Sequence, residues 1–261
     1  MERITSRNNE KIKYAVKLRD SSSFRREKKE YIIEGARLCS DAVRSNVRVV
    51  SCFVTENALN LYSEYIDDAV GSADNAYVIT EEVSEKLSDT KSPQGVFCIC
   101  KMLDKNANIG KIIQNGKYVA LEDVVNPGNF GAICRTAEAL GLNGVITGGG
   151  CDIYNPKAQR ASMGSLFRID VIVCDDFCGF LKSMQKNGAK IYATVPQSNA
   201  IPITSCDMDG TVVCVIGNEG SGVTESCLEL CDDKITIPMK GRAESFNASA
   251  AASITMWEMM R

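Results

Sequence analysis

Histidine is absent from all 261 residues of the chain. Without an imidazole, neither a Ser-His-Asp triad nor a Cys-His pair can form, and any general base must be another group. The 12 cysteines are scattered, and no two of them form a Cys-x-x-Cys pair. Because a zinc site would then need four thiolates from distant parts of the chain, we expect no metal site. We interpret the cysteines as small buried residues in a reducing cytoplasm.

Long apolar runs are absent as well. No stretch approaches the roughly 20 apolar residues that a membrane-spanning helix needs. Residues 1–17 are charged and lack the apolar centre of a secretory signal. We therefore expect a cytoplasmic protein with no membrane partner, built from one large domain or two ordinary ones.

Charge is distributed unevenly along the chain. The net charge is −3, yet residues 1–50 carry 13 Lys and Arg against 7 Asp and Glu. The overall acidity argues against a protein that coats nucleic acid indiscriminately, and we expect no DNA partner. The basic segment favours a phosphate-rich partner, although a solvated helix face explains it equally well.

The spacing of apolar residues predicts alternating strands and helices in two series. The first series, residues 1–100, predicts a small α/β domain with helices over 6–20, 36–43, 58–67 and 81–87 and strands over 31–33, 47–54, 76–80 and 95–100. Residues 101–116 are rich in Lys, Asn and Gly and are interpreted as a linker. The second series, residues 117–261, predicts strands over 117–122, 143–147, 169–173, 189–194, 211–216 and 234–238 and a last helix from about Ser249. The run 211–216 is apolar on both faces, as in a parallel sheet covered on both sides.

Three polar corners follow predicted strands of the second series: Glu122–Gly131, Gly217–Gly222 and Lys240–Asn247. In open α/β sheets, ligands bind beyond the carboxyl ends of strands, where glycines admit a ligand and helix N-termini offer free N–H groups. Each corner alone could be a helix cap, as Asn126 before Pro127 illustrates. No P-loop and no Gly-x-Gly-x-x-Gly turn is present, so common nucleotide-binding motifs do not explain the corners.

Taken together, the corners resemble the three motifs of the SpoU/TrmH branch of the SPOUT methyltransferases. The matching segments are Asn126-Pro127-Gly128-Asn129-x-Gly131-Ala132-x-x-Arg135, Ile216-Gly217-Asn218-Glu219-Gly220-x-Gly222 and Ile237-Pro238-Met239-x-Gly241 with Glu244-Ser245-Phe246-Asn247-Ala248-Ser249. They occur in family order within residues 117–261, and Arg160–Ser165 resembles the intermediate loop of the family. Phe246 stands where Leu is usual, and Ala248 and Ala250 stand where Val is common.

Residues 1–100 resemble, more loosely, the substrate-binding extension of many family members, an α/β module akin to certain RNA-binding ribosomal proteins. The similarity rests on Tyr31–Leu38 and Ser92–Val96. The domain organisation expected from the resemblance is therefore an RNA-binding module over 1–100, a linker over 101–116 and a methyltransferase domain over 117–261.

The resemblance implies a SPOUT domain with a mostly parallel sheet and a deep trefoil knot, in which the corner at 240–247 threads back through a loop. It also implies S-adenosylmethionine as cofactor, a ribose 2′-hydroxyl of RNA as methyl acceptor, and a homodimer. Ribosomal RNA is favoured over transfer RNA because of the N-terminal module. The last helix would pack at the dimer interface, although a helix of the monomer core fits its apolar face almost as well.

Residue roles follow from the same resemblance. The expected catalytic residues are Arg135, Asn129, Glu219, Ser245 and Asn247, with Arg135 stabilising the developing alkoxide. The expected cofactor-binding residues are Thr194, Gly217, Ile237, Met239 and Phe246. The expected RNA-binding residues are Arg25, Arg26, Lys28, Lys29 and Arg37.

Several alternatives stay open from the sequence. The chain would act as a non-catalytic RNA-binding protein if the fold were kept without turnover. Within the enzyme hypothesis, a transfer RNA substrate and an antibiotic-resistance role on ribosomal RNA both fit the motifs. An oxidoreductase on a doubly wound sheet is disfavoured because the first strand of the second series lacks a Gly-rich turn.

Overall fold

A computed structural model of the chain describes residues 1–103, 114–197 and 199–261. Residues 104–113, most of the predicted linker, lie outside the described residues. The chain divides into two compact units: Met1–Leu103 with Asp152–Phe167, and the described part of Asp104–Cys151 with Arg168–Arg261. The segment Asp152–Phe167, which follows the first motif in sequence, thus packs within the first unit.

The first unit contains a five-stranded mixed sheet. Its strands are β1 (Glu2–Ile4), β2 (Glu30–Glu34), β3 (Val49–Thr55), β4 (Asn75–Ile79) and β5 (Val96–Lys101), in the order β1-β4-β3-β5-β2. β5 runs antiparallel to both of its neighbours, and the other pairs are parallel. The helices are α1 (Glu10–Asp20), α2 (Ser22–Lys28), α3 (Ala36–Arg44), α4 (Glu56–Leu61), α5 (Ser63–Ser72) and α6 (Glu81–Leu87).

Side-chain caps decide where several of these helices begin. Asn9 accepts the N–H of Lys11 at 2.9 Å, so α1 starts at Glu10 and not at residue 6. The single helix predicted over 58–67 is wrong. The Thr55 hydroxyl accepts the Ala58 N–H at 3.1 Å and starts α4 early, and the chain leaves helical geometry at Tyr62 before α5 begins.

The second unit is built on a parallel sheet of seven strands, which confirms the prediction of a mostly parallel sheet. Its strands are β6 (Lys117–Glu122), β7 (Gly144–Gly148), β8 (Val171–Cys174), β9 (Lys190–Thr194), β10 (Ile201–Pro202), β11 (Val212–Ile216) and β12 (Asp233–Thr236). Its helices are α7 (Pro127–Leu140), α10 (Phe177–Lys186), α11 (Glu225–Leu230) and α12 (Ala248–Met259), while α8 (Pro156–Ser162) belongs to the first unit and α9 (Ser165–Arg168) to the boundary. All ten predicted strands are present within two residues of their expected ends, whereas the short β1 and β10 escaped prediction.

The strand order β10-β12-β9-β11-β6-β7-β8 explains why the polar corners meet. β7 and β8 lie in succession on one side of β6 in the strand order. The chain then crosses over, and β9, β11 and β12 lie on the other side of β6. β11 pairs with β6, with Ile216 opposite Leu121, and β9 pairs with both β11 and β12. Because all these strands are parallel, the corners after β6, β11 and β12 lie at one edge of the sheet, at its topological switch point.

The core of this unit lies on both faces of the sheet, and β6, β7 and β11 are almost wholly buried. None of the described helices combines the length and the apolar character that crossing a bilayer requires. The threading of 240–247 that a trefoil knot requires stays a prediction.

Candidate active site

An open pocket of about 510 Å³ lies at the carboxyl edge of the parallel sheet. It is lined by residues that follow β9, β11 and β12 and by the start of α12, namely 194–197, 216–223, Leu228, Ile237, Met239, 245–248 and Ala251. All five expected cofactor-binding residues lie in this lining: Thr194, Gly217, Ile237, Met239 and Phe246.

The second corner is a closed loop that admits only glycine at its entrance. Asn218 and Gly222 exchange backbone hydrogen bonds of 3.0 Å in both directions. A Cβ on Gly217 would come within 2.2 Å of the Gly222 carbonyl carbon, so any larger residue would force the loop open. Inside the loop, the Asn218 side-chain oxygen accepts the N–H of Gly220 at 2.8 Å and of Ser221 at 3.1 Å.

Asn218 also fastens the second corner to the first, because its Nδ2 donates to the Asp123 carbonyl at 2.9 Å. Glu122 and Thr224 form a second tie: the Thr224 hydroxyl and N–H donate to the Glu122 carboxylate at 2.6 and 2.9 Å. No role was predicted for these residues. Only Asn218 could have been found from the sequence, because an Asn inside a glycine-rich turn typically hydrogen-bonds to its own backbone.

Glu219 connects the second corner to the helix start of the first. Its carboxylate accepts the Val125 N–H at 3.2 Å, the Asn126 N–H at 3.1 Å and the Asn129 Nδ2 at 2.9 Å. Burial alone would raise the pKa of Glu219, but the hydrogen bonds from Asn129 and from backbone N–H groups outweigh it and hold the pKa below its ordinary value. The carboxylate is therefore ionised at neutral pH, with both oxygens engaged.

Asn129 and Asn247 extend this connection to the third corner. The Asn247 Nδ2 donates to the Asn129 Oδ1 at 3.2 Å. The Asn247 Oδ1 accepts the N–H and the hydroxyl of Ser249 at 2.9 and 2.7 Å and so caps α12. One hydrogen-bonded chain, Glu219–Asn129–Asn247–Ser249, thus joins the three motifs; we call it the amide chain.

The predicted catalytic residues do not all meet. Glu219, Ser245 and Asn247 line the pocket, and Asn129 bonds to two of them. Arg135 lies two helical turns into α7 and is not part of the lining. Its side chain is exposed and makes no hydrogen bond or ion pair to any described residue. Its catalytic role stays a prediction.

The third corner leaves its polar groups unpaired. From Ile237 to Phe246, neither backbone nor side chains hydrogen-bond to any described residue. Thr194, also in the lining, has a buried hydroxyl with no partner within the described chain. The Phe246 ring is 42% exposed beside these groups. Such a lining suits a ligand that carries both apolar surface and hydrogen-bonding edges.

The predicted RNA-binding residues lie in the first unit, and one of them must be corrected. Arg25 is only 3% exposed. Its guanidinium donates four hydrogen bonds, two to the Asp152 carboxylate and one each to the carbonyls of Leu18 and Arg19, so this buried group is committed to the protein and not to RNA. Arg25 is therefore a structural residue that holds Asp152.

The other four predicted RNA-binding residues are exposed: Arg26, Lys28, Lys29 and Arg37. Lys28 pairs with Glu27 at 2.8 Å, which leaves its charge partly compensated. Arg37 stands in the first turn of α3, beside a second pocket of about 380 Å³ that Arg160 also lines. Their contact with RNA stays a prediction.

Comparison with protein families gives two matches. Residues 116–257, more than half of the chain, match the SpoU rRNA Methylase family. Residues 9–98 match the MRM3-like substrate binding domain. The chain is 29% identical over 260 residues to the 23S rRNA (guanosine(2553)-2'-O)-methyltransferase RlmP of Bacillus subtilis (strain 168), and the alignment covers 99% of each chain.

Solved structures show the same similarity along almost the whole chain. The AdoMet-bound rRNA methyltransferase from Sinorhizobium meliloti superimposes with a TM-score of 0.86 at 26% identity, covering 99% of this chain and 97% of the other. An RNA 2'-O ribose methyltransferase superimposes with a TM-score of 0.85 at 26% identity, covering 98% and 97%. These matches confirm the resemblance that the three motifs indicated.

Proposed function

Because the chain belongs to the SpoU rRNA methylase family, we propose that it transfers the methyl group of S-adenosylmethionine to a ribose 2′-hydroxyl of ribosomal RNA. The observation that carries the proposal is the amide chain, which brings all three motifs to the rim of one pocket. A protein that only bound RNA would not need the amide chain beside a pocket whose lining contains no Lys or Arg.

The pocket fits S-adenosylmethionine. Ile237, Met239 and Phe246 offer apolar surface for an adenine ring, and the unpaired backbone of 237–246 offers donors and acceptors for its edges. Thr194 and Gly217 close the lining on the sides of β9 and β11. When bound, the cofactor supplies an electrophilic methyl group on a sulfonium.

The residues around the pocket prepare the acceptor hydroxyl. A ribose hydroxyl is a weak nucleophile until its proton begins to leave, and a positive charge stabilises the alkoxide that develops. Arg135 supplies that charge; a guanidinium stays protonated in proteins and is not the base. Glu219 is a poor base as well, because N–H donors occupy both of its oxygens. The proton therefore leaves to a substrate phosphate or to water.

Glu219 acts through Asn129. By accepting the Asn129 Nδ2, it fixes the orientation of that amide, which turns Oδ1 toward Asn247. The two amides are then placed to hold the ribose, while the side chains of Arg135 and Ser245, which make no hydrogen bond to a described residue, are available to the substrate. This division of roles makes Glu219 a positioning residue.

Tritium transfer from labelled S-adenosylmethionine tests the proposal. We expect incorporation into ribosomal RNA, recovered as a 2′-O-methylated nucleotide, and none into transfer RNA. The guanosine for which the Bacillus subtilis relative is named is the first position to map. Cofactor binding by calorimetry without any transfer to ribosomal RNA would instead favour a binding protein. A ribosomal substrate also implies a cytoplasmic enzyme, and loss of resistance in a deletion strain would point to the antibiotic-resistance role.

A homodimer is part of the proposal. On α12, Met256 and Met259 are buried against the unit's own core, whereas Trp257 is 62% and Met260 42% exposed. The last helix thus serves the core with one face and presents large apolar side chains on another. Exposed Trp is a typical anchor of protein interfaces, and a second copy of the chain would cover it.

A further inference from the structure

A cluster of thiols lies inside the second unit at the carboxyl end of β6, outside the pocket. It comprises Glu122, Cys178 in α10, Cys227 in α11 and Cys231 at the end of α11; we call it the thiol cluster. The ligand atoms of Glu122, Cys178 and Cys227 all lie within 4.8 Å of one another. Cys231 lies one helical turn after Cys227, and both Cys178 and Cys231 pack against the hydrophobic core that contains Cys227.

Most of the thiol cluster lies in the interior of the second unit. Glu122 is 9% exposed and Cys227 is wholly buried, so a carboxylate and a thiol share an interior site. Thiolate sulfur and carboxylate oxygen are both ligands that zinc takes in tetrahedral sites.

We propose that the thiol cluster binds one zinc ion, with Cys178, Cys227, Cys231 and Glu122 as its four ligands. Zinc prefers tetrahedral sets of sulfur, nitrogen and oxygen, with Zn–S near 2.3 Å and Zn–O near 2.1 Å, which places sulfur ligands about 3.8 Å apart. The ligand atoms of Glu122, Cys178 and Cys227, within 4.8 Å of one another, reach that spacing by closing about 1 Å, and Cys231, one helical turn after Cys227, would supply the fourth ligand. No other three such ligand atoms in the described part of the chain approach this closely.

The binding step needs no oxidant or reductant. Three thiol protons leave to solvent, three Zn–S bonds and one Zn–O bond form, and no sulfur changes its oxidation state. Each oxygen of Glu122 accepts one hydrogen bond from Thr224 and keeps a lone pair for the metal. Cys178 and Cys231 are partly exposed, which gives the ion a route from the surface between α10 and α11.

The ion would act on the neighbouring loops. Glu122 ends β6 directly before the first corner, and Thr224 follows the second corner. A zinc ion would therefore tie α10 and α11 to the strand end from which the first corner departs. This assigns a structural role to cysteines that the sequence pattern presented as scattered.

Cobalt(II) titration of the full chain, expressed without a polyhistidine tag and purified in reductant, tests the site. We expect one Co²⁺ per chain, a thiolate-to-metal charge-transfer band, visible bands of tetrahedral intensity, and displacement of the ion by Zn²⁺. Cys178→Ser should lower the charge-transfer intensity by about one third, and Cys227→Ser should abolish stoichiometric binding. Cys206→Ser is the matched control, because Cys206 is a partly exposed thiol of the same unit, outside the thiol cluster, that donates a hydrogen bond to the Pro202 carbonyl at 3.6 Å.

Three results would overturn the proposal: no charge-transfer band in the wild-type chain, a band that Cys227→Ser retains, or a band that Cys206→Ser loses equally. Zinc recovered with the protein but removed by brief chelation, without a cobalt signal, would mean an adventitious ion only. Cys178→Ser keeps the test decisive if Cys227→Ser fails to fold, since Cys178 lies nearer the surface. The measurement involves neither RNA nor S-adenosylmethionine, so its outcome is independent of the proposed function.

Discussion

At the scale of single residues, the role of Arg135 in catalysis gives the most specific prediction. Arg135→Ala should lower turnover at least about 100-fold, the typical loss when one stabilising donor is removed. Affinity for S-adenosylmethionine should stay nearly unchanged, because Arg135 is not part of the pocket lining. Single-turnover methylation and calorimetry measure the two effects. Arg168→Ala is the control, an exposed arginine of the same unit that pairs with Glu138 at 3.0 Å; equal turnover of both variants would remove Arg135 from the mechanism.

Glu219 predicts a pH dependence of stability. Its pKa is lower in the folded than in the unfolded chain, so its stabilising contribution is complete above the unfolded value, about 4.3, and is lost as pH falls through the lowered value. The difference in Tm between wild type and Glu219→Gln should be constant from neutral pH to about pH 5 and shrink below about pH 4. Thermal melts across this range measure it, and a difference that persists undiminished at pH 3 contradicts the assigned ionisation.

Arg25 and Arg26 are neighbours with opposite expected roles. Arg25→Ala should destabilise the first unit by about 3–5 kcal/mol, because it removes the positive charge that compensates the largely buried Asp152 carboxylate. Arg26→Ala should change stability little, weaken RNA binding and reduce its salt dependence, as loss of a phosphate contact does. Chemical denaturation and RNA titration at several salt concentrations separate the two effects, and a large loss of stability in Arg26→Ala would reverse the assignment.

At the scale of elements, Asn247 combines a helix cap with a part of the candidate site. Asn247→Ala should cost about 1 kcal/mol through the lost cap of α12 and also reduce methyl transfer, because the amide chain is cut. Asn9→Ala removes a cap of the same 2.9 Å geometry from α1 and should cost similar stability with methyl transfer retained. If the two variants lose activity equally, the effect of Asn247 is on stability alone.

At the scale of the whole molecule, the exposed Trp257 predicts the oligomeric state. Trp257→Glu should turn the dimer into a monomer without unfolding it, since the ring is 62% exposed in the single chain. Leu61→Glu, at an equally exposed leucine of α4, should leave the assembly unchanged. Analytical ultracentrifugation of the three proteins decides, and a wild-type chain that sediments as a monomer at all concentrations refutes the dimer.

Much of the fold could be predicted from the sequence, because buried strands such as Val212–Ile216 are recognisable as short, continuous apolar runs. The polar corners around the pocket could be predicted in the same way, since parallel strands bring their carboxyl-end loops to one edge, whereas the individual cofactor-binding residues were implied by the family resemblance. The break at Tyr62 was not, as it depends on a cap at Thr55 set by the preceding strand. The burial of Arg25 was hidden for another reason: its partner Asp152 lies 127 positions away, and no local pattern encodes that distance.

The discontinuity of the first unit has a consequence for biosynthesis. When residue 103 leaves the ribosome, the guanidinium of Arg25 has no Asp152, and the Tyr31 ring has no Tyr154 to pack against at 4.7 Å. Emerging domains usually finish folding in order from the N-terminus. Here the first unit cannot be completed until residues 152–167 have been translated. β6, α7 and β7 are therefore synthesised while the first unit is still incompletely folded. Co-translational folding of the N-terminal residues therefore ends only after a segment from the middle of the sequence has packed against them.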